Sequence, residues 1–147
     1  MAHDASAAGM DERLGALLAL WDARRGTRPM PARADFTFED LLPWVGHLAL
    51  LDVVGTGEDF RYVVYGTRLV ETFGFDLTGR SARDAIALIG PQPLAEYQRV
   101  AATRVPDHVS RMSPANKEHL TITKLALPLS SDGTMVDKIV SVIYRVE

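Results

Sequence analysis

The chain has 147 residues, of which 47% are hydrophobic and 24% charged, and it contains no cysteine. This length predicts one domain with its own core, and the lack of cysteine excludes disulfides, zinc–thiolate sites and cysteine nucleophiles. The formal net charge of −3 gives no broad positive field for nucleic acid, and no apolar run is long enough to span a bilayer. We therefore expect a cytoplasmic protein that binds neither nucleic acid nor a membrane.

The N-terminal part of the chain predicts a tail followed by a helix. Residues 1–9 are small and polar, which is typical of a disordered tail and not of a secretory signal. From Met10 on, apolar residues recur with the i, i+3, i+4, i+7 spacing of one helical face, and Asp11 and Gly26 suit the start and end of this helix. The helix and its proline-containing linker occupy residues 10–33, and so short a helix needs something to dock on. Its docking stripe consists of Leu14, Leu17, Leu18 and Trp21.

Beyond the linker, the apolar period changes from that of a helix to that of strands. The apolar run Leu48–Val54 and the alternating run Phe60–Tyr65 flank a glycine-containing turn, which is typical of a β-hairpin. Thr67 suits the cap of a short helix that follows, and Ser81 with Asp84 resembles the capping box of another. The helical segments predicted here are residues 68–73, 81–88 and 94–105.

The C-terminal part of the chain is rich in β-forming residues. An Asp132-Gly133 pair between two such runs is typical of a tight hairpin turn. The order of helix, two strands, short helices and three strands predicts an α+β domain over residues 34–147, built on a five-stranded antiparallel sheet. The three strands predicted here are residues 108–112, 119–129 and 135–146.

This order of elements resembles that of a PAS domain, and local motifs agree with it. Phe73–Gly79 contains the Gly-aromatic pair and the Leu-x-Gly that many PAS domains carry after their second strand. The chain is similar to a group of short stand-alone bacterial PAS proteins with a tryptophan-ending helix, a Pro-Ala-Arg-Ala-Asp linker and a Leu-Pro-Leu-x-x-Asp-Gly hairpin. The corresponding residues here are Trp21, Pro31–Asp35 and Leu127–Gly133, so the resemblance covers about residues 12–145.

The resemblance implies a PAS-like sheet with helices on one face, which together enclose a cavity. The N-terminal helix would be an extra element on the other face or on a second subunit, and the function would be sensory or regulatory. Two departures are visible: Gly66 and Thr67 stand where many PAS domains have an asparagine, and Val63 stands where the short group often has an arginine. A ligand that relatives hold through that arginine is therefore not expected here.

Aromatic and hydroxyl side chains collect around the wall of the implied cavity. A ligand site needs a few polar groups among apolar ones, and Arg61 is the best candidate to hold an anion. Ordinary core packing is the alternative explanation for the aromatic residues, and a one-residue error in strand register would turn every side chain to the opposite face. The predicted ligand-binding residues are Arg61, Tyr65, Thr67, Phe73, Phe75, Thr78 and Tyr97.

No metal site and no catalytic residue are predicted. The histidines lack the spacing of metal ligands, and none lies in the long helix where a haem ligand of a PAS domain is expected. With a turn at residues 113–118, Met112 would face His119, and His108 would face Thr123. Flavin chemistry through a cysteinyl adduct is excluded, which leaves only non-covalent flavin open; no cofactor is predicted, and the expected ligand is an unidentified small molecule. The histidines, expected to be structural or at the surface, are His3, His47, His108 and His119.

An arginine cluster follows the N-terminal helix. Guanidinium groups pair with carboxylates and phosphates, so the cluster suits an anion or an acidic partner. The alternative is a solvated loop whose charge is neutralised by Asp22 and Asp35. The cluster consists of Arg24, Arg25, Arg28 and Arg33.

Three functions fit these observations. The first is a non-catalytic sensory PAS-like domain that binds a small molecule and signals through a protein partner or through a homodimer involving the N-terminal helix. The second is a ligand-free dimerisation or docking module. The third is a small cone-shaped α+β enzyme of the isomerase or dehydratase type, for which Asp52 or His47 would be the base. We favour the first, and we expect Asp52 to be ion-paired or at an exposed edge.

Overall fold

The computed structural model describes residues 9–115 and 119–146, so the predicted tail, apart from Gly9, lies outside the described residues. The strands of the described chain are β1 (Leu48–Val54), β2 (Asp59–Tyr65), β3 (Asp107–Met112), β4 (Thr121–Leu129) and β5 (Lys138–Arg145). They form one sheet in the order β2-β1-β5-β4-β3, and every neighbouring pair is antiparallel. The predicted α+β class and five-stranded antiparallel sheet are confirmed.

Helices precede the sheet and connect its second and third strands. Within the described residues, none of them is long and apolar enough to cross a membrane. Two 3-10 segments, Arg33–Asp35 and Leu42–His47, lie in the connection from the first helix to β1. The helices are α1 (Glu12–Arg25), α2 (Phe38–Leu41), α3 (Thr67–Phe73), α4 (Ile86–Ile89) and α5 (Gln92–Thr103).

The two faces of the sheet have different neighbours. Residues directly opposite each other on paired strands share a face, and Ala49 lies opposite both Tyr65 and Ser141. Tyr97 of α5 donates a hydrogen bond of 2.9 Å to the Ser141 hydroxyl. The face that carries Ala49, Tyr65 and Ser141 is therefore the one that α5 covers, and it is called the inner face below.

Helix α1 packs on the opposite, outer face. Val140 and Ser141 are successive residues of β5, so their side chains point to opposite faces. Leu17 and Trp21 line a small apolar gap together with Val140, which places them on the outer face. The Trp21 indole also donates a hydrogen bond of 2.9 Å to the carbonyl of Pro128, so the predicted stripe docks on the chain's own sheet. Its members are Leu14, Leu17 and Trp21, which are buried, and Leu18, which is half-buried.

The predicted hairpin between the last two strands is confirmed, since β4 and β5 pair antiparallel, but the tight turn predicted at Asp132-Gly133 is wrong. Strand β4 ends at Leu129 and β5 begins at Lys138, with a longer loop between them. The Asp132 carboxylate accepts hydrogen bonds from the amides of Thr134 at 2.8 Å and Met135 at 2.9 Å. These bonds stabilise a loop conformation in place of the two-residue hairpin turn.

The predicted pairing of β3 with β4 is also wrong, by two residues. Met112 lies opposite Thr121, and His108 lies opposite Leu125. Strand β4 begins only at Thr121, so the connection from β3 is longer than the predicted turn. A shift by two keeps each side chain on its face, and the His108 Nε2 still lies 3.0 Å from the hydroxyl of Thr123, its diagonal neighbour.

Two predicted helix starts need correction. Thr67 is the first residue of α3, and Gly66 takes the cap position, with extended backbone. The Ser81 hydroxyl accepts a hydrogen bond of 3.0 Å from the Asp84 amide, as in the predicted capping box. However, Ser81 forms a bridge with β2, and α4 begins at Ile86, because the chain must first complete this contact with the sheet edge.

Gly66 lies where the chain leaves β2 and passes another backbone segment closely. A Cβ atom added there would lie 2.2 Å from the Gly46 carbonyl oxygen, and backbone cannot rotate away as a side chain can. We expect Gly66→Ala to lower the free energy of unfolding by about 1–3 kcal/mol. Gly15→Ala is the matched control, because nothing lies within 4 Å of its added methyl group, and it should raise that free energy by about 0.5–1 kcal/mol. Equal urea midpoints for the two variants would contradict this expectation.

Candidate functional site

A small cavity lies between the inner face of the sheet and the helices that cover it. Its volume is about 30 Å³, which is room for roughly two water molecules. Aliphatic and aromatic side chains form most of the wall. The polar and aromatic residues that line it are Tyr62, Tyr65, Phe73, Tyr97, Arg111, Ser113 and Lys124.

Of the seven predicted ligand-binding residues, three line the cavity, one stacks on a wall residue and three lie at the surface. Tyr65, Phe73 and Tyr97 line the cavity, as the prediction placed them. Phe75 is half-buried and stacks on Phe73, with ring centroids 6.4 Å apart, but it does not line the cavity. The structure thus brings three of the predicted residues together around one space.

The other predicted residues lie at the surface, away from the cavity wall. Arg61 is exposed and donates a hydrogen bond of 2.8 Å to the Gly79 carbonyl beside the edge strand. Thr67 is exposed at the start of α3. Thr78 is exposed as well, and its hydroxyl donates a hydrogen bond of 2.7 Å to Asp76. Arg61 therefore does not provide the positive charge at the cavity; Arg111 and Lys124 provide it.

A β-bulge in β2 places two tyrosines in the cavity. Leu51 lies opposite Tyr62 and Leu50 opposite Val64, so one residue of β2 between them has no opposite partner. Strict alternation would put Tyr62 and Tyr65 on opposite faces, but the extra residue turns both inward, and their ring centroids lie 5.7 Å apart. Burial raises the pKa of both hydroxyls above the usual tyrosine value, so both stay neutral hydrogen-bond donors.

A buried cluster of three charged residues lies at the cavity wall. The Glu96 carboxylate accepts hydrogen bonds from Arg111, at 2.7 Å from Nε and 2.8 Å from Nη2, and from the Lys124 ammonium. The Lys124 ammonium also lies 4.5 Å from the centroid of the Tyr97 ring. The side chains of Glu96, Arg111 and Lys124 are only 7%, 17% and 2% exposed.

The charged state of Glu96 follows from its neighbours. Burial alone raises the pKa of this carboxyl, but the hydrogen bonds from Arg111 and the charge of Lys124 outweigh burial and hold the pKa at about 2. The carboxylate is therefore ionised over the physiological pH range. It balances one of the two cations that contact it.

This cluster could not be predicted from the sequence, because its members are far apart in the chain. Glu96 lies on α5, Arg111 on β3 and Lys124 on β4. One signal was present: Lys124 directly precedes the apolar run Leu125–Leu129 of the same strand, and a buried lysine needs a partner. That signal predicts a buried acid, but it does not say which one.

The residues that the enzyme alternative needs lie on the outer face, away from the cavity. Asp52 pairs with the Lys138 ammonium at 2.5 Å and is half-exposed, as expected for this residue. The His47 ring lies 4.5 Å from the Tyr144 ring, and burial lowers the pKa of this histidine. Across the described residues, no group of three or more acidic or histidine side chains could hold a metal ion.

The arginine cluster after α1 is neutralised locally, which supports the interpretation as a solvated loop. Asp22 and Asp35 are ion-pair partners, as the sequence analysis proposed, and Asp40 is a third. Arg33 donates a hydrogen bond of 2.9 Å to a backbone carbonyl. The ion pairs are Arg24–Asp40 at 3.0 Å, Arg25–Asp22 at 2.7 Å and Arg28–Asp35 at 2.9 Å.

The sheet order, the connecting helices and the cavity between them together define an α+β domain of the PAS class. The family model for the PAS domain matches residues 10–144. The chain belongs to the PAS domain family. No curated protein matches it in sequence, and its likeness to the short stand-alone bacterial group stays a prediction.

Solved structures share the fold at low sequence identity. The PAS domain of BvgS from Bordetella pertussis is 17% identical with a TM-score of 0.52, over 93% of this chain and 88% of that one. The dark-state LOV domain of the blue-light photoreceptor aureochrome1 is 14% identical with a TM-score of 0.55, over 76% and 84%. A sensory box sensor histidine kinase from Vibrio cholerae is 14% identical with a TM-score of 0.51, over 74% and 86%.

Proposed function

We propose that this PAS domain is a non-catalytic sensor that binds a small molecule in the inner cavity and signals through a protein partner or a second subunit. The observation that carries the proposal is the chemistry of the cavity wall. Three tyrosines, Ser113 and two buried cations line one space whose other wall residues are apolar, and a few polar groups among apolar ones are the usual composition of a ligand site. Membership of a family of sensory domains supports the same function.

The position of the cavity offers a route by which a ligand could act on α1. Ile143 of β5 lines the cavity, and the next residue, Tyr144, points to the outer face. There the Arg13 guanidinium of α1 lies 3.6 Å from the centroid of the Tyr144 ring. A ligand that displaces β5 at Ile143 would therefore also move the surface on which α1 rests.

A ligand screen tests the proposal. A compound that binds only the folded state at a hundredfold excess over its Kd should add about 2.7 kcal/mol to the free energy of unfolding, which is a Tm increase of several degrees at this chain length. Tyr97→Phe changes a residue that lines the cavity and removes its hydrogen bond to Ser141, so it should reduce the shift. Arg61→Ala is the matched control, because Arg61 lies outside the cavity, and it should leave the shift unchanged.

A ligand-free docking module is the second candidate, and the size of the cavity favours it. Small-molecule sites usually enclose about 300 Å³ or more, whereas this cavity encloses about 30 Å³. If no compound in a metabolite screen shifts the Tm, the sensor proposal fails and the docking module replaces it.

We also propose a homodimer that involves α1. The stripe on one side of α1 is buried against the sheet, so a second copy would contact the other side. Ala16, Ala19 and Ala23 are exposed there and Leu20 is half-buried. We expect sedimentation at micromolar concentration to show a dimer, and Ala19→Glu to give a folded monomer whose Tm no longer depends on protein concentration. A wild-type chain that sediments only as a monomer would contradict this.

A further inference from the structure

The buried cluster at the cavity carries more positive than negative charge. Glu96 is the one carboxylate that Lys124 and Arg111 contact within the described residues, and it is ionised. A second ion pair on the same face, Arg99–Asp107 at 2.8 Å, joins one cation to one anion and so leaves this excess unchanged. An uncompensated cation in a low-dielectric interior is costly, so the wall of the cavity favours an anion.

Lys124 and Arg111 also have N–H groups that can donate hydrogen bonds to a ligand. An ammonium has three N–H groups and a guanidinium has five. Within residues 9–115 and 119–146, Lys124 makes one hydrogen bond, to Glu96, and Arg111 makes two to Glu96 and one of 3.2 Å to the Met112 carbonyl. Since both residues line the cavity, each has further N–H groups for a guest, and the Tyr65 hydroxyl on the same wall is a neutral donor.

We propose that the cavity binds a small monocarboxylate, whose charge is held by Lys124 and Arg111. The proposal rests on the proposed ligand-binding function and names the class of ligand. Room for roughly two water molecules in about 30 Å³ suits an anion of the size of formate or acetate. The aliphatic wall around Ile122 and Ile143 would contact the methyl group of acetate.

Acetate and its neutral isostere acetamide give the direct test. Titration of the full chain at pH 7, with total ionic strength held constant by chloride, should show saturable binding of acetate in calorimetry and a rise in Tm. Acetamide has the same shape without the charge, so it should bind at least about tenfold more weakly, because hydrogen bonds to charged groups are worth more than neutral ones. Equal binding of acetate and acetamide would overturn the proposal.

A matched pair of lysine variants locates the site. Lys124→Met keeps most of the length of the side chain, removes the charged group and leaves Glu96 paired with Arg111, so it should fold and lose acetate binding by about tenfold or more. Lys138→Met is the control, because Lys138 pairs with Asp52 on the outer face, and it should bind acetate as the wild type does. Retained binding in Lys124→Met would overturn the proposed site; if that variant does not fold, Arg111→Gln is judged by the same criterion.

The outcomes also separate this proposal from the function on which it rests. If a different compound from the metabolite screen raises the Tm and acetate and formate do not bind, the carboxylate class is wrong and the sensor function stands. If no compound binds, both the carboxylate proposal and the sensor proposal are wrong. Binding of nitrate as tightly as acetate would show that the cavity selects charge and size and not the carboxylate group, and would overturn the proposal as stated.

Discussion

Glu96→Gln should lower the free energy of unfolding by about 3–5 kcal/mol, because removal of one partner from a buried ionic cluster leaves its other charges uncompensated. Lys124 and Arg111 would remain buried, at 2% and 17% exposure, without the carboxylate between them. Urea unfolding at neutral pH measures the loss. Glu71→Gln is the matched control, since its ion pair with Arg68 is 64% exposed on both sides, and such surface pairs contribute about 0–1 kcal/mol.

Glu96→Gln should also make the free energy of unfolding depend less on pH below about pH 5. The pKa of Glu96 falls from an ordinary 4.5 to about 2 in the folded state, so the unfolded chain binds a proton first as the pH falls. The stabilisation is complete above about pH 5 and is lost as the pH falls toward 2, and it amounts to about 3 kcal/mol at most. Wild type and Glu96→Gln with parallel stability curves between pH 5 and pH 2 would contradict this assignment.

Features that depend on neighbouring residues in the chain could be predicted from the sequence. The start of α1 is an example: the Asp11 carboxylate accepts a hydrogen bond of 2.8 Å from the Arg13 amide. Its end is another, where Gly26 has a φ of 61°. The bounds of β1 also agree with the apolar run Leu48–Val54, because glycines and a change of period mark both of its ends.

Features that depend on pairing between distant segments could not be predicted in this way. The bulge in β2 shows in the register of β1 against β2, and alternation along β2 alone gives no sign of it. The buried cluster depends on the registers of β3 and β4, which bring Arg111 opposite Ile122 and leave Lys124 two residues further along the same face. Arg61 is therefore the cavity cation that the sequence predicts, whereas the structure places Arg111 and Lys124 there.

Trp21→Ala should lower the free energy of unfolding by about 3–5 kcal/mol, the usual cost of removing a buried tryptophan side chain. Trp21 is 5% exposed, contacts the outer face of the sheet and donates a hydrogen bond to the Pro128 carbonyl. Trp21→Phe keeps most of the apolar contact and loses the hydrogen bond, so it should cost much less. The difference between the two variants, measured by urea unfolding, separates packing from hydrogen bonding.

The dependence of the Tm on protein concentration shows whether the buried side of α1 contacts its own sheet or a second subunit. In the monomeric Ala19→Glu background, docking within one chain predicts that Trp21→Ala lowers the free energy of unfolding by the same amount at every protein concentration, because no association is involved. A stripe that served as a dimer interface would instead make the Tm of Ala19→Glu rise with concentration, and Trp21→Ala would abolish that rise. A helix docked on its own sheet next to Tyr144 can respond to a change on the inner face, since its contact with the strand lies one residue from the cavity. Intramolecular docking of α1 is thus a condition for the proposed signal, and the concentration series on Trp21→Ala tests it.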